Sequence, residues 1–590
     1  MFRALAQTWT RFSDTFRRSL SFRNALPQLS ILAVLIGVIA SLVIAAFRML
    51  IDLILIEILD GEVDAFEKLS SLERSGLIIV GIAALSLVLY RVKSRRREMS
   101  VAHVIDRLTN HQGYIHWKNT VLQFFCGVIA MVSGQSVGRE GPAVHLGAGV
   151  ASILGRAMRL PNNSAPTLIG CGVSASIAAS FNTPMAAVIF ALEVVVLEYS
   201  GTNLIPIILA AVVGALINQA IFDEPLYTVV TTVGSIDFIE LPFLIVLGAL
   251  LSIAAALYIR LNITTLKFAQ KLLPSLPMRL ACAGMLTLLV ALVVPEVMGL
   301  GYDSINSAIN LSSTLQVLVA VGFAKLFLTP IVCGMGVPGG AIGPMLIVGA
   351  CLGAAFGLAA NASFGIGEGH LGLYAALGMA GMMAATLNAP LASLITVLEL
   401  SYNPQLVFPA MLIIVVACIG TRYSFGLEGL FVEQLKHSRR ELDFSPARVA
   451  LRRIGISSVL DRNLVMLPKR LDYEEAKAAL ASNPRWCVFE DNNTINNSVH
   501  ALMAADLSRF LDEAPVAVLS LEEQVDLFKI PGRRIELIPI HETANLDEAL
   551  TALRETERDA LYVRSSGLLP INSVKGLVTI EAIENFYLPH

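Results

Sequence analysis

The chain has 590 residues, 55% of them hydrophobic and 15% charged, with a formal net charge of −3. Soluble chains carry about 25% charged residues, so this composition excludes an ordinary soluble protein and indicates a polytopic membrane protein. The lipid bilayer is an expected partner and nucleic acid is not.

The leader, residues 1–27, carries Arg3, Arg11, Arg17, Arg18 and Arg23 against one acid, Asp14. By the positive-inside rule it is expected in the cytoplasm. The first apolar run begins near Leu29 and is too long for the h-region of a cleavable signal peptide. Runs such as "LSILAVLIGVIASLVIAAF" and "FLIVLGALLSIAAALYI" then follow one another to about Arg440, where the chain becomes dense in Asp, Glu, Lys and Arg. This shift predicts a membrane domain over 28–432 and a soluble part after it. The basic clusters "RVKSRRRE" at Arg91–Glu98 and "KHSRRE" after the last apolar run assign the C-terminal part to the cytoplasm as well.

Segments 31–58 and 238–260 reach the length of a span, about 20 residues. Those around 143–157, 166–181, 185–197, 344–360 and 390–400 read as shorter and interrupted by Gly or Pro. Irregular backbone at membrane depth survives only inside protein or along a cavity, and short, broken, paired segments point to a transport site. Cys126, Cys171, Cys282, Cys333, Cys351, Cys418 and Cys487 form no CxxC pair and read as buried free thiols.

An internal duplication is legible. "GREGPAVHLGAGVASILG" (138–155) aligns with "GAIGPMLIVGACLGAAFG" (340–357) at an offset of 202, matching Gly138, Gly141 and Pro142 to Gly340, Gly343 and Pro344. Further on, 172–194 aligns with 378–400 at an offset of 206, where Asn182, Pro184 and Glu193 meet Asn388, Pro390 and Glu399. The expected repeats are 28–222 and 238–432.

The first of these loops sets the chemistry. Pro142 fits the first turn of a helix, where its missing N–H has no partner to lose. Gly138-Arg139-Glu140-Gly141 then forms the turn before the helix, with free amides pointing outward. A helix start carries about half a positive charge and attracts anions. Pro344 creates the same arrangement in the second repeat. Two helix starts facing each other can hold one anion without a full cation, which would bind too tightly for release.

These residues also carry a resemblance. G-R-E-G-P at Gly138–Pro142, "GGAIGP" at Gly339–Pro344, "FNTP", "LNAP" and "GLGYDSI" at Gly299–Ile305 resemble the CLC family of chloride channels and chloride/proton antiporters. The resemblance covers the membrane part and implies an α-helical polytopic fold with an inverted internal repeat, assembled as a homodimer with one anion pathway per subunit. Glu140 matches the family's gating glutamate. Gly138, Arg139 and Gly141 match one side of its anion site, and Gly340, Ala341, Ile342 and Gly343 the other. No cofactor is implied; chloride is the transported ligand.

Three departures qualify the match. The first filter motif, expected near residues 98–103, reads "EMSVAH", with Ser100 or Met99 at the serine position. The family's pore tyrosine falls in "GLEGLFVEQL", placing Phe431 there, with Tyr423 as the other candidate. At the internal proton position of the antiporters stands Val194, with Glu193 one place early and Glu198 one turn later. Valine carries no proton, which favours a channel over an antiporter. The plainer reading of Glu193 and Glu399 is capping or pairing at helix ends.

After a linker at 433–454, residues 455–519 and 538–590 each read as strand, amphipathic helix, strand, strand, helix, joined by a linker at 520–537. They resemble an α/β pair of CBS domains, a module that can bind adenine nucleotides. The ligand pattern is split: Asp506 lacks its partner at Met503, and Thr579 lacks its partner at Ala582. A structural and dimerising role is expected rather than nucleotide binding.

Gly134-Gln135-Ser136-Val137-Gly138 also spells a hydrolase nucleophile elbow, but that turn requires strand before helix, and both flanks here are apolar Gly/Ala-rich helix. An intramembrane serine hydrolase using Ser136 and His145 is the remote alternative, and His145 reads more simply as a packing residue. No H-E-x-x-H occurs, so no zinc site is predicted. The expectation is a voltage- or pH-gated chloride channel of the cell membrane, not an enzyme, gated by Glu140.

Overall fold

The computed structural model describes residues 15–22, 25–59, 61, 64–93, 97–222, 238–365, 371–438, 440, 445–491, 498–513, 524–564 and 574–585. Much of the leader, residues 94–96, 439 and 441 of the two basic clusters, and part of each expected linker and C-terminal unit lie outside them.

The apolar runs form helices in two matching series. The first comprises α1 (Leu26–Ile58), α2 (Ser71–Tyr90), α3 (Val101–Asn110), α4 (Trp117–Val132), α5 (Glu140–Ala157), α6 (Ala165–Phe181), α7 (Pro184–Phe190) and α8 (Gly201–Ile221). The second comprises α9 (Leu241–Leu272), α10 (Leu276–Ala291), α11 (Tyr302–Ile309), α12 (Leu315–Met335), α13 (Ile342–Phe364), α14 (Gly372–Leu387), α15 (Pro390–Ser401) and α16 (Val407–Ile419). Packing repeats with the order: α5 lies on α6 as α13 lies on α14, α6 on α8 as α14 on α16, and α7 meets α15 directly. A closing helix, α17 (Leu430–His437), packs on α3, α9 and α14.

Eight helices among the described residues are long and apolar enough to cross a membrane. The segments expected around 185–197 and 390–400 are short helices as read, Pro184–Val196 and Pro390–Ser401, but two other expected lengths are corrected. The segment around 344–360 lies within a helix of 23 residues, and 166–181 lies within a candidate span of 20. The glycines expected to interrupt these helices serve close approach instead. A Cβ on Gly147 would stand 2.2 Å from the Gly172 carbonyl oxygen, and one on Gly349 would stand 2.4 Å from that of Gly378. The same crossing is thus built twice. Pro330 within α12 has no N–H to give the Leu326 carbonyl one turn back, and at this irregular turn Asn262 donates to the Pro330 carbonyl at 2.9 Å.

Past the membrane helices come α18 (Pro446–Arg452), β1 (Leu464–Leu467), β2 (Arg470–Leu471), α19 (Tyr473–Leu480), β3 (Trp486–Asp491), β4 (Ser498–Met503) and α20 (Ala504–Glu513). They are followed by β5 (Val525–Asp526), β6 (Arg534–Ile540), α21 (Leu546–Thr556), β7 (Ala560–Arg564), β8 (Val574–Thr579) and α22 (Ile580–Asn585). One six-stranded sheet runs β1-β3-β4-β6-β7-β8, and the short β2 and β5 pair separately. β1 lies parallel to β3 and β6 parallel to β7, while β4 and β6 join antiparallel at the centre. Two strand–helix–strand–strand–helix units therefore share one sheet, as the expected order of elements has it.

The chain divides into two compact units, 29–158 with 165–442, and 443–590 with 1–28 and 159–164. The boundary falls at 442 rather than 432 because Leu435 is buried and Arg440 pairs with Glu98 and Asp106. The expected linkers are also shorter than read: 433–454 holds the end of α17 and all of α18, and 520–537 holds β5 and the first residues of β6.

Candidate anion site

The two glycine loops meet. The Gly138 amide donates to the Gly340 carbonyl at 2.7 Å, and the Gly340 amide donates to the Gly138 carbonyl at the same distance. Residues matched at an offset of 202 in the sequence are thus bonded partners across a local two-fold. Contact is so close that a Cβ on Gly340 would lie 2.5 Å from the Gly141 nitrogen, and one on Gly141 would lie 2.6 Å from the Gly340 Cα. Side chains at either position are excluded by backbone.

Just past this bridge α5 and α13 begin. The first four N–H groups of a helix have no partner within it. The carboxylate of Glu140, the first residue of α5, turns back onto the start of α13 and accepts the Gly343 amide. Room for it depends on two glycines: a Cβ on Gly138 would stand 2.1 Å from Oε2, and one on Gly343 would stand 2.5 Å from Oε1. Glu140 is buried and faces a helix start, a setting that suits a carboxylate or a small anion. Ala341 is the N-cap of α13, and Ile342 begins that helix, buried.

Arg139 does not reach into this space as a cation. It donates Nη2 to the Ser180 carbonyl at 2.8 Å and lies 5.4 Å from the Phe181 ring centre and 4.9 Å from that of Tyr302. It ties the loop to the end of α6. A cavity opens beside Glu140, bordered by Phe181, Thr183, Phe190, Ile342, Met383 and Thr396, which come from both repeats.

Ser100 is the N-cap of α3, its hydroxyl accepting the His103 amide at 3.1 Å. Phe431 is buried in the first turn of α17, and α3 and α17 pack on each other. Tyr423, the other candidate for the pore tyrosine, is 79% exposed.

Glu193 and Glu399 form a reciprocal pair of caps. Glu193 accepts the Leu391 and Ala392 amides at 3.3 and 2.6 Å, at the start of α15. Glu399 accepts the Met185 and Ala186 amides at 2.9 and 2.7 Å, at the start of α7. Each carboxylate thus closes the helix of the opposite repeat. Val194 is buried within a π-helical turn, Ala191–Val196, and Glu198 follows that turn half-buried.

The Ser136 hydroxyl pairs with that of Thr329 at 2.9 Å, and His145 pairs with His103 at 2.9 Å. Neither partner makes Ser136 a nucleophile, and α4 rather than a strand precedes its turn. In the C-terminal unit Thr579 caps α22, accepting the Ala582 amide at 3.2 Å, while Asp506 lies in the first turn of α20.

Four residues near the loops escape a reading of the sequence. Tyr302 donates to Glu140 Oε1 at 3.1 Å, and Tyr258 donates to the Ala341 carbonyl at 3.3 Å. Asp64 and Lys325 bracket the turn that carries Tyr302. Lys325 had a signal, since a lone cation inside an apolar run needs a reason to be there. Asp64, in the polar stretch "DGEVDAFEK", had none.

A family model described as voltage gated chloride channel matches residues 76–422. The voltage-gated ClC-type chloride channel ClcB of Escherichia coli is 28% identical over 399 residues, spanning 66% of this chain and 93% of that protein. The crystal structure of a slow cyanobacterial Cl−/H+ antiporter matches with a TM-score of 0.62 at 19% identity, covering 70% of this chain and 97% of that one. A eukaryotic CLC transporter structure matches with a TM-score of 0.55 at 17% identity, covering 94% and 97%. At these identities the structural likeness speaks to the fold.

Proposed function

The chain belongs to the CLC family of voltage-gated chloride channels, and we propose that it is a chloride channel of the cell membrane, gated by Glu140. The observation that carries this reading is the Glu140 carboxylate, buried between two bridged helix starts and bonded to the Gly343 amide. In that place it competes with any anion for the same donors. When external protons neutralise it or chloride displaces it, the site is free.

Anion binding is assigned to Gly138, Gly141 and Gly340 through Gly343, with Ser100 and Phe431 at the starts of α3 and α17, and Arg139 is assigned to holding the loop that carries them. The competing reading, obligatory exchange of chloride for protons, needs an internal proton carrier. Val194 cannot serve, and Glu193 is engaged on two backbone amides. Glu198 is the residue on which exchange would rest. The protein is read as a transporter of ions, not an enzyme, with no cofactor.

We further assign the protein to a homodimer in the cell (plasma or inner) membrane with both termini cytoplasmic. In support, 1–28 and the loop 159–164 belong to the same compact unit as 443–590. That unit is read as a CBS pair with a structural, dimerising role. Its sheet order supports the assignment, and the split between Asp506 and Thr579 argues against tight nucleotide binding.

The test is the reversal potential of the purified protein in liposomes under a chloride gradient, with and without a pH gradient. A channel gives the chloride equilibrium potential in both. A reversal potential that moves steadily with the pH gradient establishes exchange instead.

A further inference from the structure

We propose that Tyr302 is a latch on the gate, its hydroxyl holding Glu140 in the closed position, and that Asp64 and Lys325 position that latch. The inference rests on the reading of Glu140 as the gate.

Tyr302 opens α11 and is buried. Its hydroxyl lies 3.1 Å from Glu140 Oε1, and its ring packs 4.9 Å from the Arg139 guanidinium carbon and edge-on to Phe181. One side chain therefore touches both charged residues of the Gly138–Pro142 loop. The bond has a direction: a phenol donates, so it favours an ionised carboxylate seated at the anion site over a protonated one.

The turn beneath Tyr302 is held from two sides. Asp64, beyond the end of α1, accepts the Leu300 amide at 2.8 Å, the Tyr302 amide at 3.0 Å and the Gly301 amide between them. Lys325 of α12 is fully buried and donates to the Val297 and Gly299 carbonyls at 3.1 and 3.4 Å. Gly299 and Gly301 take φ of +61° and +76°, left-handed conformations that glycine adopts without cost. A buried acid and a buried base spent on five backbone groups of one short turn are expensive as mere packing. They are accounted for if that turn must aim a hydroxyl.

The charged and titratable groups around Glu140 are Arg139 in its own loop, Tyr302 of α11, Lys325 of α12 and Tyr258 of α9. Along α5 and the helices packed on it stand the His103–His145 pair and the thiols Cys126, Cys171 and Cys351. Of these, Tyr302 is the side chain hydrogen-bonded to the Glu140 carboxylate among the described residues.

The sign of the effect follows. Removing the hydroxyl destabilises the seated, ionised carboxylate, so protons release the gate at higher pH. The experiment measures chloride efflux from liposomes against external pH for the wild type, Tyr302→Phe, Glu140→Gln and the double variant, each checked for monodispersity. Tyr302→Phe is expected to move the half-activation pH upward by about one to two units, the value of a hydrogen bond to a charged group. Asp64→Asn is expected to move it the same way by less, and to add nothing once Tyr302 is Phe. The double variant should behave as Glu140→Gln alone.

If Tyr302→Phe keeps the wild-type midpoint while Glu140→Gln is insensitive to pH, the latch is wrong and the gate stands. If Glu140→Gln keeps the wild-type pH profile, the gate itself is wrong and the latch falls with it. If Tyr302→Phe changes flux further in the Glu140→Gln background, the tyrosine acts elsewhere and the proposal is overturned.

Discussion

The loops 138–142 and 340–344 share a backbone and differ in side chains. Both start a helix after a glycine bridge, both place proline third in the helix, and each bonds the other through matched amides and carbonyls. One carries Arg139-Glu140 where the other carries Ala341-Ile342. The scaffold is two-fold and the proposed gate is not. Symmetry supplies two matched helix starts, whose free amides suit an anion. Only the departure from symmetry supplies a group that can compete with that anion and take up a proton.

The glycines offer the harshest way to break this comparison. A Cβ on Gly340 would meet the Gly141 backbone at 2.5 Å, whereas the nearest atoms to one on Gly343 are those of the Glu140 carboxylate. Gly340→Ala should therefore separate the two loops at a cost of about 3 kcal/mol or more, read as loss of monodisperse protein in size-exclusion chromatography. Gly343→Ala should fold and displace the carboxylate, giving chloride efflux that responds little to external pH. If both variants fold and transport like the wild type, the close bridge is not as described.

A milder pair sharpens it. Glu193 and Glu399 cap each other's repeat with the same geometry. If both are structural, Glu193→Gln and Glu399→Gln should each cost about 1–2 kcal/mol and lower the melting temperature of the purified protein by similar amounts, with the reversal potential unchanged. A change in proton coupling confined to Glu193→Gln would mean the symmetry hides a functional residue.

Much of this arrangement was legible in the sequence because Gly and Pro impose backbone geometry locally. The offset of 202 between the loops and of 206 between the caps needed no structure, and the bridge pairs two of the residues it matched. Helix lengths were less legible. Glycines in 344–360 resemble breaks on paper, but in a helix pressed against a neighbour their missing Cβ is what permits contact, so α13 runs 23 residues. The C-terminal edge of the membrane unit was less legible too: charged residues such as Arg440 read as linker, yet this one is paired with Glu98 and Asp106. Least legible was the support of the gate. Tyr302 reaches Glu140 across 162 positions and Asp64 reaches Leu300 across 236, separations at which no local pattern operates.

The central claim is that Glu140 is a proton-sensitive gate standing in the anion's own place. It is tested most directly by chloride efflux from liposomes containing Glu140→Gln, measured against external pH beside the wild type. Glutamine fills the same space without a charge to seat or a proton to gain. The account predicts a wild-type flux that rises as external pH falls and a Glu140→Gln flux that is high and flat across the same range. A Glu140→Gln profile that follows the wild-type curve would contradict it.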